Sequence, residues 1–282
     1  MFSHVTQDLI ARAIAEDVGP RDVTTEAVVP VGTRARGRID QKAPGVVFGL
    51  EVAQGVFRRL DPLVSWRALR PEGEWLNEPP AAVAEAEGDA RALLTGERVA
   101  LNFLQHLSGI ATATAAGVNL LRGTGIEVLD TRKTVPGLRE LEKQAVAAGG
   151  GRNHRMGLHD AILVKDNHIA LAGGIREAVR RALENGPPGM QVEVECATLD
   201  DVREAVEAGA THLLLDNMEV GEMREARALA GPDVVLEASG GLTPDSLRGL
   251  GGAQLEFVSL GYLTHSAPAL DLSMSIEPIE TS

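Results

Sequence analysis

Between Ile126 and Tyr262 the chain repeats one unit: a short apolar run, often β-branched, followed by an Ala-rich amphipathic stretch. The runs are IEVLDT (126–131), AILVKD (161–166), QVEVEC (191–196), HLLLDN (212–217), VVLEAS (234–239) and FVSLGY (257–262). Each run is strand-sized. The stretches between them end at glycine in Glu184-Asn185-Gly186 and Glu207-Ala208-Gly209, and one opens with acid at Leu199-Asp200-Asp201, where the helix dipole favours negative charge. Strands alternating with helices specify a parallel sheet, because parallel neighbours need a crossover between them. Six strands in so short a span fit a compact α/β barrel better than an open sheet.

The first hundred residues read differently, as α+β. An amphipathic helix over Thr6 to Glu16 is expected, then strands near Arg34–Asp40, Val46–Leu50, Leu63–Leu69 and Ala82–Glu87. No catalytic motif stands out among them. A long helix is expected from Thr95 to Arg122, with Val99, Leu101, Phe103, Leu104, Leu107 and Ile110 at helical spacing, leading into the second domain.

Charge narrows the partners. A formal net charge of -13 argues against nucleic acid and against an anionic membrane, both of which need a basic surface. The apolar runs are too short to span a bilayer, and the N-terminus lacks the order of a signal peptide, so a cytoplasmic protein is expected. The one cysteine, Cys196, leaves no disulfide framework or multi-thiolate metal site, and it is expected to face the helices as a small core residue.

Within this acidic chain lies a basic island. From Thr131 to Asp166, seven cations (Arg132, Lys133, Arg139, Lys143, Arg152, Arg155, Lys165) face four anions, and His154 and His159 add to them. Three of the four lysines in the protein fall here, although the chain otherwise uses arginine. Either compositional drift has clustered them by chance, or a compact ammonium is wanted where a planar guanidinium would not serve.

The ends of the six runs carry the rest. They are Asp130 with Thr131, Arg132 and Lys133; Lys165 with Asp166; Glu195; Asp216 with Asn217; Ser239 with Gly240 and Gly241; and Ser259 with Gly261. In a parallel barrel these ends converge on one mouth, where the chemistry is done. Arg132, Lys133, His154, Arg155 and Lys165 then suit a ligand with more than one carboxylate. Ser239-Gly240-Gly241, before Thr243-Pro244, and Gly261 on the next strand place backbone N–H groups for phosphate. Glu195 and Asp216 suit Mg²⁺ or sugar hydroxyls, and Glu193, two residues earlier, points to the same side. Gly149-Gly150-Gly151 reads as a helix cap and loop. No P-loop, strand-coupled GxGxxG, HExxH or GxSxG occurs, which removes the main support for ATPase, dinucleotide, zinc-protease and serine-hydrolase readings.

The stretches GERVALNFLQHLSGIAT, DTRKTVPGLRELEKQAVAAGGGRNHRMGLHDAILVKDNHI, VEVEC, LLLDNM, EASGG and SLGYLTHSAPALDLS, from Thr95 to Ser273, resemble quinolinate phosphoribosyltransferase. The resemblance implies a type II phosphoribosyltransferase fold, an α/β protein with an N-terminal α/β sandwich (1–103, completed by 265–282) and an incomplete, open α/β barrel (104–264). It implies phosphoribosyl transfer from phosphoribosyl pyrophosphate (PRPP) to quinolinate with loss of carbon dioxide, Mg²⁺ assisting, in NAD biosynthesis. By matching motif positions, Arg132, His154, Arg155 and Lys165 contact the quinolinate carboxylates and Lys133 lies between the two substrates. Glu195 and Asp216 meet ribose hydroxyls or metal, and Ser239, Gly240, Gly241 and Gly261 hold phosphate. Arg98 reaches the neighbouring subunit's site in a homodimer, with assembly into a hexamer left open. Val135 and Gln144 depart from the expected Thr and aromatic residue, and neither removes a charge.

Three rivals remain at this point: a paralogue using nicotinate without decarboxylation, a Schiff-base barrel using Lys165 or Lys133, and a non-catalytic anion-binding module. The density of cations favours a diacid over nicotinate, and an amine surrounded by carboxylate ligands is a poor Schiff-base nucleophile.

Overall fold

The structure is a computed structural model and describes residues 3–279. It divides into two compact units: residues up to 115 with 136–150 and the segment from 266 on, and residues 116–135 with 151–265. The boundary expected at 103/104 falls instead within one continuous helix, Ala90–Leu120. The helix Arg139–Ala148 belongs to the first unit although it lies in the middle of the second in sequence. Periodicity along a chain reveals elements but not which distant element one of them packs with.

The first unit is built on a four-stranded antiparallel sheet in the order Leu272–Pro278, Arg34–Gln41, Ala81–Asp89, Ser65–Ala68. Strict alternation explains it: Ala35, Gly37, Ile39 and Gln41 are buried while Arg34, Arg36 and Arg38 are exposed. Cross-strand charge pairs, Arg36 with Glu87 and Arg67 with Glu85, line the exposed face. The run Val46–Leu50, expected as one strand, pairs only at Gly45–Val46. Gly49 turns the chain at φ 103°, and Glu72 accepts from the N–H groups of Gly49 (2.7 Å) and Leu50 (2.6 Å). A helix, Leu50–Leu60, therefore starts there, burying Val52, Ala53, Val56 and Phe57.

All six expected strands form in the second unit, in one parallel sheet ordered Glu127–Leu129, Phe257–Ser259, Val235–Ser239, His212–Asp216, Val192–Cys196, Ile162–Val164. The chain's first barrel strand pairs with its last, and no ladder joins the first to the second, so the barrel is open on one side. Residues alternate between two destinations. Val192, Val194, Cys196, Leu213, Leu215, Leu236, Ala238 and Val258 are buried on the outward, helix-facing side, while Glu193, Glu195, Asp216, Glu237, Ser239 and Ser259 take the other parity. One arginine fastens two strands from outside. Arg227, 9% exposed, grips Glu256 with Nη2 (2.6 and 2.9 Å) and donates to the carbonyls of Gln254, Gly231 and Val234. Among the described residues no helix is long and apolar enough to cross a membrane.

Candidate active site

The strand ends of the barrel unit enclose a cavity of about 330 Å³, the size of a small-ligand site. Thr131, Arg132 and Lys133, just beyond the first strand, form one wall of it, and His154, Arg155 and Lys165 form another. Asp216, Ser239, Gly240 and Ser259 complete the rim, and Leu163 and Leu214 give it apolar surface. A second cavity of about 250 Å³ shares Thr131, Lys133, Ser239, Gly240 and Ser259 and continues over Gly241 and Gly261. One lobe is thus lined by cations and the other by glycine turns, and Lys133 belongs to both.

Each wall is held in place. The Lys133 N–H donates to Thr131 Oγ1 (3.0 Å), and its carbonyl accepts from Thr264 Oγ1 (2.7 Å). A Cβ at Gly261 would lie 3.1 Å from Lys133 Cδ, so the absent side chain there leaves room for the lysine. Asp130, fully buried, accepts from the His154 N–H (2.9 Å) and so ties the His154-Arg155 segment to the first strand. Arg155 donates through Nη1 to the Ala161 carbonyl (3.1 Å). Burial, then the neighbouring Arg132 charge, lower its pKa below the ordinary guanidinium value. Two cations packed together in a half-buried site are a standing attraction for an anion.

The acids and turns also sit at the mouth. Lys165 Nζ is ion-paired with Glu195 Oε2. Asp216 accepts from Asn217 Nδ2 (2.8 Å), and Asn217 itself adopts φ 57°, uncommon for a residue with a side chain and often a mark of a functional turn. Ser259 Oγ donates to Ser239 Oγ at 3.0 Å. The helix beyond the Gly240-Gly241 turn, Pro244–Leu247, has four residues, so the turn's own N–H groups rather than a long helix dipole face the second lobe.

Of the residues expected from sequence, Thr131, Arg132, Lys133, His154, Arg155, Lys165, Asp216, Ser239 and Gly240 line the main cavity. Gly241 and Gly261 line the second, and Glu195 is joined to the site through Lys165. Arg98 is exposed on the Ala90–Leu120 helix of the other unit. The remaining cations of the island lie elsewhere: Lys143 is fully buried in the first unit, and Arg152 pairs with Glu127 (2.5 Å) and lies 5.7 Å from the Phe257 ring centroid. Glu237 was not anticipated. It lines the cavity and is 3% exposed, and its place two residues before Ser239 on an alternating strand was the available signal.

Family models match both parts of the chain. The model for the quinolinate phosphoribosyl transferase C-terminal domain matches residues 110–275, and the model for the N-terminal domain matches residues 22–108. The chain belongs to the quinolinate phosphoribosyltransferase family. A probable nicotinate-nucleotide pyrophosphorylase [carboxylating] of Bacillus subtilis is 41% identical over 95% of this chain and 92% of its own. The human nicotinate-nucleotide pyrophosphorylase [carboxylating] is 44% identical over 83% of this chain and 80% of its own. The crystal structure of NadC from Streptococcus pyogenes superposes with a TM-score of 0.94 at 40% identity, covering 99% of each chain.

The donor set also suits Mg²⁺. Asp216 offers carboxylate oxygens at the cavity, and Glu195 stands near the end of the adjacent strand. One or two carboxylates are what Mg²⁺ takes from a protein when substrate phosphates and water supply the rest.

Proposed function

We propose that this enzyme transfers the phosphoribosyl group of PRPP to the ring nitrogen of quinolinate and releases the adjacent carboxylate as carbon dioxide. The products are nicotinate mononucleotide and pyrophosphate, a step of NAD biosynthesis. The observation that carries this reading is a pair of adjoining cavities, one walled by Arg132, Lys133, Arg155 and Lys165 and the other by glycine turns, with Lys133 lining both.

Arg132, Arg155 and Lys165 grip the two carboxylates of the acid, the arginines bidentately and the lysine as a point charge. Their grip aims the ring nitrogen at the anomeric carbon, which supplies orientation rather than chemical reactivity. Lys133 and the N–H groups of the Gly240-Gly241 turn hold phosphate oxygens, and Asp216 and Glu195 orient ribose hydroxyls. Alternatively, Glu195 and Asp216 would hold Mg²⁺, which when bound would supply positive charge opposite the leaving pyrophosphate. The C–O bond breaks with its electron pair on pyrophosphate, and the nitrogen lone pair forms the new C–N bond. The ring nitrogen is then cationic, so the pair left when the neighbouring C–C bond breaks is stabilised in the ring until a proton replaces carbon dioxide. A base to abstract a proton is not required.

The working form is a cytoplasmic homodimer in which Arg98 of one subunit completes the acid pocket of the other. The test is product formation. Purified enzyme with PRPP, quinolinate and Mg²⁺ yields nicotinate mononucleotide by chromatography, a chelator stops it, and added Mg²⁺ restores it. Turnover of nicotinate in place of quinolinate would overturn the diacid reading.

A further inference from the structure

Beneath the cationic cavity the barrel interior holds an acidic cluster that the reaction above does not use. Glu193 and Glu237, 5% and 3% exposed, project inward from strands that flank His212–Asp216 on either side. His154 lies against both, with Nε2 at 3.0 Å from Glu193 Oε2 and 3.7 Å from Glu237 Oε2. Buried carboxylates are rare unless something compensates them, and two at one imidazole exceed what a single positive charge can offset.

The imidazole is fixed by the protein at both nitrogens. Nδ1 accepts from the Arg155 N–H at 2.7 Å, which assigns the ring proton to Nε2 and directs it at Glu193, with Glu237 in ion-pair reach beyond it. The same residue's main-chain N–H is held by Asp130. Through this ring the cluster is connected to Arg155, whose guanidinium lines the acid pocket. Glu237 Oε1 is buried with no hydrogen-bond partner among the described residues. Burial first, then the Glu193 charge, push the Glu237 carboxyl up to about 8, with the nearby Ser259 hydroxyl and the Lys165 charge opposing. His212 and Glu237 both border a smaller cavity below, of about 160 Å³.

We propose that Glu237 is a positioning residue for the pyridine-acid pocket: it closes the buried His154–Glu193–Glu237 cluster that sets the His154-Arg155 segment beneath the cationic wall. This rests on the reading of that cavity as the quinolinate site. The role of His154 is then to orient Arg155 from below through its ring. A charged Glu237 would place a second negative charge under a dianionic substrate, beside Glu193 and facing His154, Lys165, His212 and Asp216.

Steady-state kinetics of Glu237→Ala and Glu237→Gln against the intact enzyme test the proposal. Glu237→Ala raises the quinolinate KM by about tenfold or more and leaves the PRPP KM within about twofold, the pattern of a lost positioning contact on one substrate. Glu237→Gln, neutral and isosteric, recovers most of that loss, and its quinolinate KM no longer climbs above pH 8 as the wild-type value does. Equal change in both KM values, no change in either, or a Glu237→Gln profile that still climbs above pH 8 would each overturn it. If Glu237→Ala does not fold, the Glu237→Gln pH profile decides alone. Nitrogen-15 NMR of the His154 ring gives a readout independent of turnover: a protonated Nε2 and bare Nδ1 in the wild type, disturbed in Glu237→Ala. A wild-type enzyme inactive with quinolinate would sink the proposed function, whereas an active wild type with unaffected variants sinks only the role of Glu237.

Discussion

Replacing Gly240 with alanine tests the phosphate lobe where backbone and side chains meet most closely. Gly240 lies at φ 90°, and a Cβ there would stand 2.4 Å from Asn217 Oδ1, 2.5 Å from its Cγ and 2.8 Å from its Nδ2. Holding an L-residue in the left-handed region costs about 1–2 kcal/mol. Moving Asn217 aside also gives up its hydrogen bond to Asp216, worth about 1 kcal/mol. Gly240→Ala should therefore lose about 2–3 kcal/mol of unfolding free energy in urea. The N–H groups proposed to hold phosphate move with the turn, and Asp216 loses its orienting amide. A tenfold change in affinity corresponds to about 1.4 kcal/mol, so a PRPP KM about tenfold higher, with the quinolinate KM nearly unchanged, is the expected kinetic signature. Wild-type stability together with a wild-type PRPP KM would refute both the steric reasoning and the assignment of this turn to phosphate.

Other expectations follow from the same geometry. Arg155→Ala and Lys165→Ala should each lower turnover by orders of magnitude while circular dichroism and melting stay close to wild type, and near-normal activity in either would remove the acid-pocket assignment. Arg227→Ala leaves Glu256 and three carbonyls without their shared donor and should destabilise by about 1–3 kcal/mol in urea unfolding. A loss below about 0.5 kcal/mol, typical of an exposed site, would contradict that account. Burial pushes the Cys196 thiol up to about 12, so a thiol reagent at neutral pH should label it only after denaturation; rapid labelling of the native enzyme would show that its strand face is not sealed.

Much of this site could be read from the sequence because a parallel strand pattern fixes two things at once: where each run ends, and which side chains share a parity. Lys165, Glu195, Asp216 and Ser239 all fell at ends that topology brings together. The same parity rule would have reached Glu237 from Ser239, but attention to strand ends passed over a residue in the middle of a run. Gly49 and Glu72 were opaque for another reason, since the carboxylate that starts the Leu50 helix comes from 22 residues away. The helix Arg139–Ala148 was misplaced because nothing in its own composition records that it packs with the first unit. The departures at Val135 and Gln144 leave the charges of the pocket in place, and nothing in the structure explains them.

The central claim is that the cationic lobe holds a diacid which loses one carboxylate after ribosyl transfer. The direct measurement uses quinolinate labelled at the carboxyl beside the ring nitrogen, counting carbon dioxide and pyrophosphate released from the same reaction. The account predicts one carbon dioxide for each pyrophosphate, both dependent on PRPP. Pyrophosphate without labelled carbon dioxide, or neither product from a folded enzyme, would contradict it.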